Sequence, residues 1–302
     1  MKRILSIDGG GVLGIIPLTV LKKIEERLGK PLHEVFDLIT GSSIGAVIGG
    51  ALSSGEISCN KLHSTMVTDF QKIFKKRIRI PVLQPKYSKK AIKQSLDAQL
   101  SGLKMNQCKT KFFCTSINYI DGRTHFFKSW EDKDGQLDLT AAIIRSVSAP
   151  LYFGKEVDKV NKNVWIDGGC GDMNDPSMQA YMEARRQNWL QNEKVHIISL
   201  GCGQTSLGVP FEKSSKFNNA QEVAYYINIE DGGLGRAQSL NTHEMWLKFF
   251  AEKNSNFTYQ RIEEYNFPKD MNKLDAVKYI PDFIKYGEKL SIKVDYDKLQ
   301  EN

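Results

Sequence analysis

No stretch of about 18 apolar residues occurs anywhere in the 302-residue chain, so no segment reads as a membrane-spanning helix. The first apolar run, residues 4–7, passes straight into Asp8-Gly9-Gly10-Gly11 and is too short for the core of a signal peptide. Cysteine is sparse and odd in number. Cys59, Cys108, Cys114, Cys170 and Cys202 show neither zinc-site spacing nor the close pattern of a disulfide framework. Reduced thiols and a cytoplasmic setting are the expectation. No metal-ligand pattern is visible, and neither a metal nor a cofactor is expected. Repeats, low-complexity tracts and long linkers are also missing. With 41% apolar residues the chain can bury a full core, and residues 1–302 read as a single domain.

One absence is local. Between Phe70 and Leu96 there is no acidic residue, while nine basic ones occur: Lys72, Lys75, Lys76, Arg77, Arg79, Lys86, Lys89, Lys90 and Lys93. The formal net charge is +7, so without these nine the remainder carries −2. Phe70, Ile73, Phe74, Ile78, Ile80, Val82, Leu83 and Tyr87 are interleaved with them. The segment, about 69–102, reads as an insertion that can rest on anionic headgroups at about 1 kcal/mol per basic residue near the surface. Lys75, Lys76, Arg77 and Arg79 are the candidates for that contact. A solvated basic face over a buried apolar side would show the same pattern. Nucleic acid is not an expected partner, because no nucleic-acid-binding motif accompanies the charge.

Strand-like runs at 4–7, 35–39, 111–118, 164–166 and 195–200 alternate with helical patterns. That alternation predicts an α/β fold with a mostly parallel central sheet flanked by helices. The portion from about 210 to 302 is polar and reads as helical, with a loop over 265–274 and an amphipathic pattern over 276–290.

Three glycine-rich turns interrupt this alternation. Gly41-Ser42-Ser43-Ile44-Gly45 is a G-x-S-x-G sequence between a strand-like run and small, helix-compatible residues. That setting is what a nucleophile elbow requires: the serine sits on a sharp turn at the end of a sheet, and flanking glycines let the backbones pass closely. Ser43 is the candidate nucleophile. Asp8-Gly9-Gly10-Gly11-Val12-Leu13-Gly14 follows the first strand and precedes a helical pattern that Gly29 should stop. Its backbone N–H groups, at the positive end of a helix, can hold a phosphate or a developing oxyanion. Neither G-x-x-x-x-G-K-[ST] nor the usual dinucleotide fingerprint is present, so the oxyanion reading fits better. Asp167-Gly168-Gly169 closes a third strand-like run. The aspartate could reach a neighbouring elbow in a parallel sheet, or serve as an ordinary turn residue.

The order D-G-G-G-x-x-G, G-x-S-x-G, D-G-G resembles the patatin-like lipid acyl hydrolases. Ser146-Val147-Ser148-Ala149-Pro150-Leu151-Tyr152-Phe153 and Ser199-Leu200-Gly201-Cys202-Gly203 echo two further blocks of that family, over about residues 1–205. The resemblance implies a three-layer fold, a Ser-Asp dyad carried by Ser43 and Asp167, and an oxyanion hole from the backbone of Gly9, Gly10 and Gly11. Gly41, Gly45, Gly168 and Gly169 support those turns. Leu13 stands where many members carry Arg or Lys, and Asn174-Asp175-Pro176 replaces a common N-N-P. The implied activity is phospholipase A-type cleavage of glycerophospholipid esters at a membrane surface, favouring anionic lipid. Another lipid ester, or a latent enzyme awaiting an activating ligand or self-association, stays open.

The chemistry of such a pair is general. Serine is a poor nucleophile until a base takes its proton, and burial makes a carboxylate a more competent base. A Ser…Asp…His order would add His196 or His243 as a third member. His196 lies in an apolar strand pattern and reads as structural, and His243 falls near a helix start.

Overall fold

The computed structural model describes residues 1–76, 78, 80, 83–204, 211–226 and 233–301. Its strands are β1 (Lys2–Ile7), β2 (Leu38–Ser42), β3 (Lys111–Asn118), β4 (Arg123–Lys128), β5 (Glu156–Asp158), β6 (Asn163–Asp167), β7 (Val195–Leu200) and β8 (Phe257–Ile262). They form one sheet in the order β5-β6-β3-β2-β1-β7-β8, with β4 on β3. β3, β2, β1, β7 and β8 run parallel, and β4, β5 and β6 join antiparallel. The helices that cover it are α1 (Ile15–Leu28), α2 (Ile44–Ser54), α3 (Cys59–Ile73), α4 (Lys89–Leu100), α5 (Leu139–Ser146), α6 (Ser177–Arg186), α7 (Gly233–Lys253) and α8 (Ile280–Ser291).

The two-residue period of the strands divides the core into two layers. Leu5, Ile7, Ile39 and Phe112 pack with α1, α2, α3 and α8 on one face. Ile4, Leu38, Phe113 and Ile197 pack with Ala180 and Ala184 of α6 and Leu247 of α7 on the other. Helix ends follow local chemistry. Gly29, left-handed at φ 64°, ends α1, and the side chains of Ser58 and Ser88 cap α3 and α4 by accepting the N–H groups of Lys61 and Lys90.

The position of β6 is decisive for the site. Phe113, Cys114 and Thr115 of β3 pair with β4 along one edge and with β2 along the other, whereas Ser116, Ile117 and Asn118 pair with β4 and β6. A strand residue has two ladder edges, so β6 takes the edge that β2 leaves. The two strands therefore meet end to end, Ser42 opposite Thr115 and Asp167 opposite Ser116. The parallel-neighbour geometry expected for Asp167 is replaced by an antiparallel strand arriving head-on.

The C-terminal portion is helical only in part. β8 interrupts it, pairing in parallel with β7 from Val195↔Phe257 to Leu200↔Ile262. Thr258, Gln260 and Arg261 mask this strand in the sequence, because their polar side chains break the apolar pattern. The described part of the basic insertion includes the end of α3 and α4, and within it Phe70, Tyr87, Ile92, Leu96 and Leu100 are buried.

Candidate active site

Leaving β2, the chain turns at Ser43 with φ 52° and ψ −119°, a conformation that L residues adopt only under constraint. The constraint is the packing of the two motif glycines. A Cβ at Gly41 would collide with the backbone of Gly45, and one at Gly45 with the Ile7 carbonyl. The turn points the half-buried Ser43 hydroxyl off the sheet edge at the N-terminus of α2. Its Oγ donates to Asp167 Oδ2 at 2.5 Å. The carboxylate is 4% exposed, and its other oxygen accepts the Gly169 N–H at 2.8 Å, which fixes its plane.

The end of α5 and the turn after it brace both residues. Ser146 Oγ accepts the Ser43 N–H at 3.1 Å, and the Ser148 carbonyl accepts the Asp167 N–H at 3.2 Å. The Ser146–Phe153 block was visible in the sequence, but nothing there signalled this bracing role.

The three amides of the glycine nest are not equivalent. The Gly9 N–H donates to the Asn174 carbonyl at 3.1 Å, and Asn174 Nδ2 donates back to the Gly9 carbonyl at 3.2 Å. That clamp engages the Gly9 N–H within the fold, whereas the Gly10 and Gly11 N–H groups take no backbone bond among the described residues. Gly11 is left-handed at φ 58° and lies under Leu274, whose carbonyl accepts the Val12 N–H at 2.9 Å. The neighbouring Asp275 carboxylate takes the Lys86 ammonium and, at 2.5 Å, the Tyr87 hydroxyl. Burial works to raise this carboxyl, but the hydrogen bonds from Lys86 and Tyr87 outweigh it and hold it below its usual range. A strap from the C-terminal portion is thereby tied to the basic insertion directly above the nest.

Ser43 and Gly11 open into a cleft of about 670 Å³, part of it open to solvent. Its walls are apolar: Val47 of α2, Phe70 and Ile73 of α3, Ile92 and Leu96 of α4, and Phe153. Asp69 and Ser95, bonded to each other at 2.6 Å, and Tyr152 join Ser43 as its polar-bearing lining residues. The insertion thus supplies most of one wall. Among the described residues no histidine lines this cleft. His196 lies at the opposite end of β7, opposite Arg3, and its Nδ1 meets Thr258 Oγ1 at 2.9 Å. His243 sits within α7. Among the described residues no cluster of His, Cys, Asp or Glu could hold a metal, and no helix is long and apolar enough to cross a membrane. Cys202 is buried against Gly10, whereas Cys170 is exposed just beyond Asp167. Lys75 and Lys76 are exposed; Arg77 and Arg79 lie outside the described residues.

Residues 5–181, which contain all three glycine motifs, match the family model of patatin-like phospholipases. The chain belongs to that family. As a patatin-like phospholipase it is 26% identical over 261 residues to a cGAMP-activated phospholipase of Escherichia coli (strain TW11681), covering 80% of this chain and 71% of that one. It is 28% identical over 176 residues to a cGAMP-activated phospholipase of Pseudomonas aeruginosa (strain BWHPSA011 / Pa011), covering 55% of this chain and 52% of that one. It is 26% identical over 301 residues to patatin group D-3 of Solanum tuberosum, covering 87% and 76%. Among solved structures, VipD from Legionella pneumophila matches at a TM-score of 0.39 and 10% identity, over 94% of this patatin-like chain and 66% of that one.

Proposed function

We propose that the chain hydrolyses carboxyl esters of glycerophospholipids to a fatty acid and a lysolipid, with Ser43 as nucleophile and Asp167 as base. The observation that carries this reading is the 2.5 Å contact between Ser43 Oγ and Asp167 Oδ2 at the mouth of an apolar cleft. Asp167 takes the hydroxyl proton as Oγ attacks the ester carbonyl carbon. The negative charge gathers on the former carbonyl oxygen, where the Gly10 and Gly11 N–H groups and the N-terminus of α2 offset it. Collapse expels the lysolipid alkoxide, which recovers the proton from Asp167. Water then attacks the acyl-enzyme as Asp167 takes its proton, the Ser43 Oγ–acyl bond breaks with that proton passing from Asp167 to Oγ, and the fatty acid leaves through the cleft. No metal takes part in these steps.

The membrane-facing part of the reading rests on the stretch after α3. Ile78, Ile80 and Leu83 are exposed beside the exposed Lys75 and Lys76, on the same insertion that walls the cleft. Apolar side chains that enter the interface and lysines that meet anionic headgroups are the chemistry of peripheral binding. An acyl chain could then pass from bilayer to cleft along one surface.

The test is fatty-acid release from vesicles of mixed anionic and zwitterionic lipid, with chelator present, comparing wild type with Ser43→Ala. Release by wild type alone is the expected result; release by a folded Ser43→Ala protein would sink the assignment. A second reading is favoured by the names of the bacterial relatives: a latent enzyme switched on by a cyclic dinucleotide. It predicts little basal release and a steep rise when cGAMP is added to the same vesicles.

A further inference from the structure

Behind the glycine nest lies a buried ion cluster that the proposed chemistry does not use. Arg261 of β8 is almost fully enclosed, and its guanidinium grips Asp8 with two bonds, Nη1 to Oδ1 at 2.8 Å and Nη2 to Oδ2 at 2.6 Å. The same group donates to Glu263 at 2.7 Å and to Ser199 Oγ at 2.7 Å, and lies 3.4 Å from Asp175. All three carboxylates are buried. Burial alone would weaken the Arg261 cation, but the surrounding carboxylates, Asp8 foremost, hold it charged.

Each carboxylate lies next to a residue that shapes the nest. Asp8 is the residue before Gly9. Asp175 follows Asn174, which clamps Gly9 through its carbonyl and its side chain. Glu263 accepts the Gly203 N–H at 2.7 Å, next to Cys202, whose Cβ and Sγ abut Gly10. Three segments separated by long stretches of chain thus converge on one planar fork. A guanidinium can hold such a set because its donors lie at fixed angles, which an ammonium cannot reproduce.

We propose that Arg261 is a positioning residue for the reaction: it fixes the Gly10 and Gly11 amides at the place where the oxyanion forms. Arg261 lies outside residues 5–181, the segment that the family model matches. The inference rests on the proposed hydrolysis at Ser43. It assigns Arg261 a role in the transition state and none in binding the acyl chain, since neither it nor its partners line the cleft.

The test is Arg261→Lys, which keeps the charge but loses the fork, followed on a soluble short-chain ester. A misplaced donor predicts a fall in kcat of about 10²-fold with KM within about twofold, the size seen when an oxyanion donor is removed. Phosphonylation of Ser43 by a lipid phosphonate, whose oxygen occupies the same position, should slow in parallel. Thermal melting establishes that the variant is folded. Asp8→Asn, which breaks the bidentate grip with little change of shape, should show the same split and decides the matter if Arg261→Lys does not fold. Retained kcat in the folded variant, or a raised KM with kcat unchanged, would overturn the positioning role. Wild-type protein with no hydrolysis and no phosphonylation would instead overturn the reading of Ser43 on which it rests.

Discussion

Replacing Asp167 by Asn tests the proposed base apart from the architecture. In the native site one carboxylate oxygen accepts the Gly169 N–H at 2.8 Å and the other accepts the Ser43 hydroxyl at 2.5 Å. An asparagine keeps the first bond with its carbonyl oxygen, which turns its NH₂ toward Ser43. The serine then becomes an acceptor, and no group remains to take its proton. A positioned general base contributes about 10²–10⁴-fold, so kcat should fall by that factor, about 3–5 kcal/mol in barrier height. KM should hardly change, because Asp167 is not among the residues lining the cleft. Stability should move by only about 1–2 kcal/mol, since one hydrogen bond is kept and the other reversed. The assay is fatty-acid release at several substrate concentrations, beside a thermal melt. Ser43→Ala/Asp167→Asn should be no slower than either single variant, as expected of two groups acting as a unit. A folded Asp167→Asn protein within tenfold of wild type would refute the reasoning.

Gly45→Ala should abolish release and lower stability by about 3 kcal/mol or more, because its Cβ would strike the Ile7 carbonyl, a backbone atom that cannot step aside; a normal melt would contradict the tight elbow. Burial holds the His196 imidazole down to about 4, against 6.5 when unfolded. The unfolded chain therefore takes up a proton first as pH falls, and stability present above pH 6.5 is lost on the way to pH 4. At about 1.4 kcal/mol per tenfold change in proton affinity, the loss is about 3 kcal/mol. Denaturant titrations at several pH values should show it, and His196→Gln should flatten it. On anionic vesicles, Lys75→Ala/Lys76→Ala should weaken binding by about 2 kcal/mol, roughly 30-fold, with hydrolysis of a soluble ester unchanged. Equal vesicle binding would remove the lysines from the membrane contact.

The legible parts of the fold and site are those written in short-range chemistry. The strained turn at Ser43, the glycine stop of α1 and the Asp167-Gly168-Gly169 turn are each encoded within a few residues. Strand pairing is not. Nothing local indicates that β6 would run antiparallel and meet β2 end to end, because that depends on which edge of β3 is vacant. β8 escaped notice because Arg261 is a polar residue serving an interior position, and a buried charge cannot be told from a solvated one without its partners. The same limit applies to Gly9, whose amide looks equal to its neighbours until the Asn174 carbonyl is in place.

The strap over the nest bears on how such enzymes can be recombined. Lys86 and Tyr87 come from the insertion and Asp275 from the C-terminal portion, yet they close over Gly11 as one piece. A chimera that imports another relative's insertion alone would separate the two halves of this clasp and leave Leu274 unsecured beside the nest. The insertion and the strap at Leu274-Asp275 therefore form a single unit of exchange, to be grafted together or left together, despite nearly two hundred residues between Lys86 and Asp275.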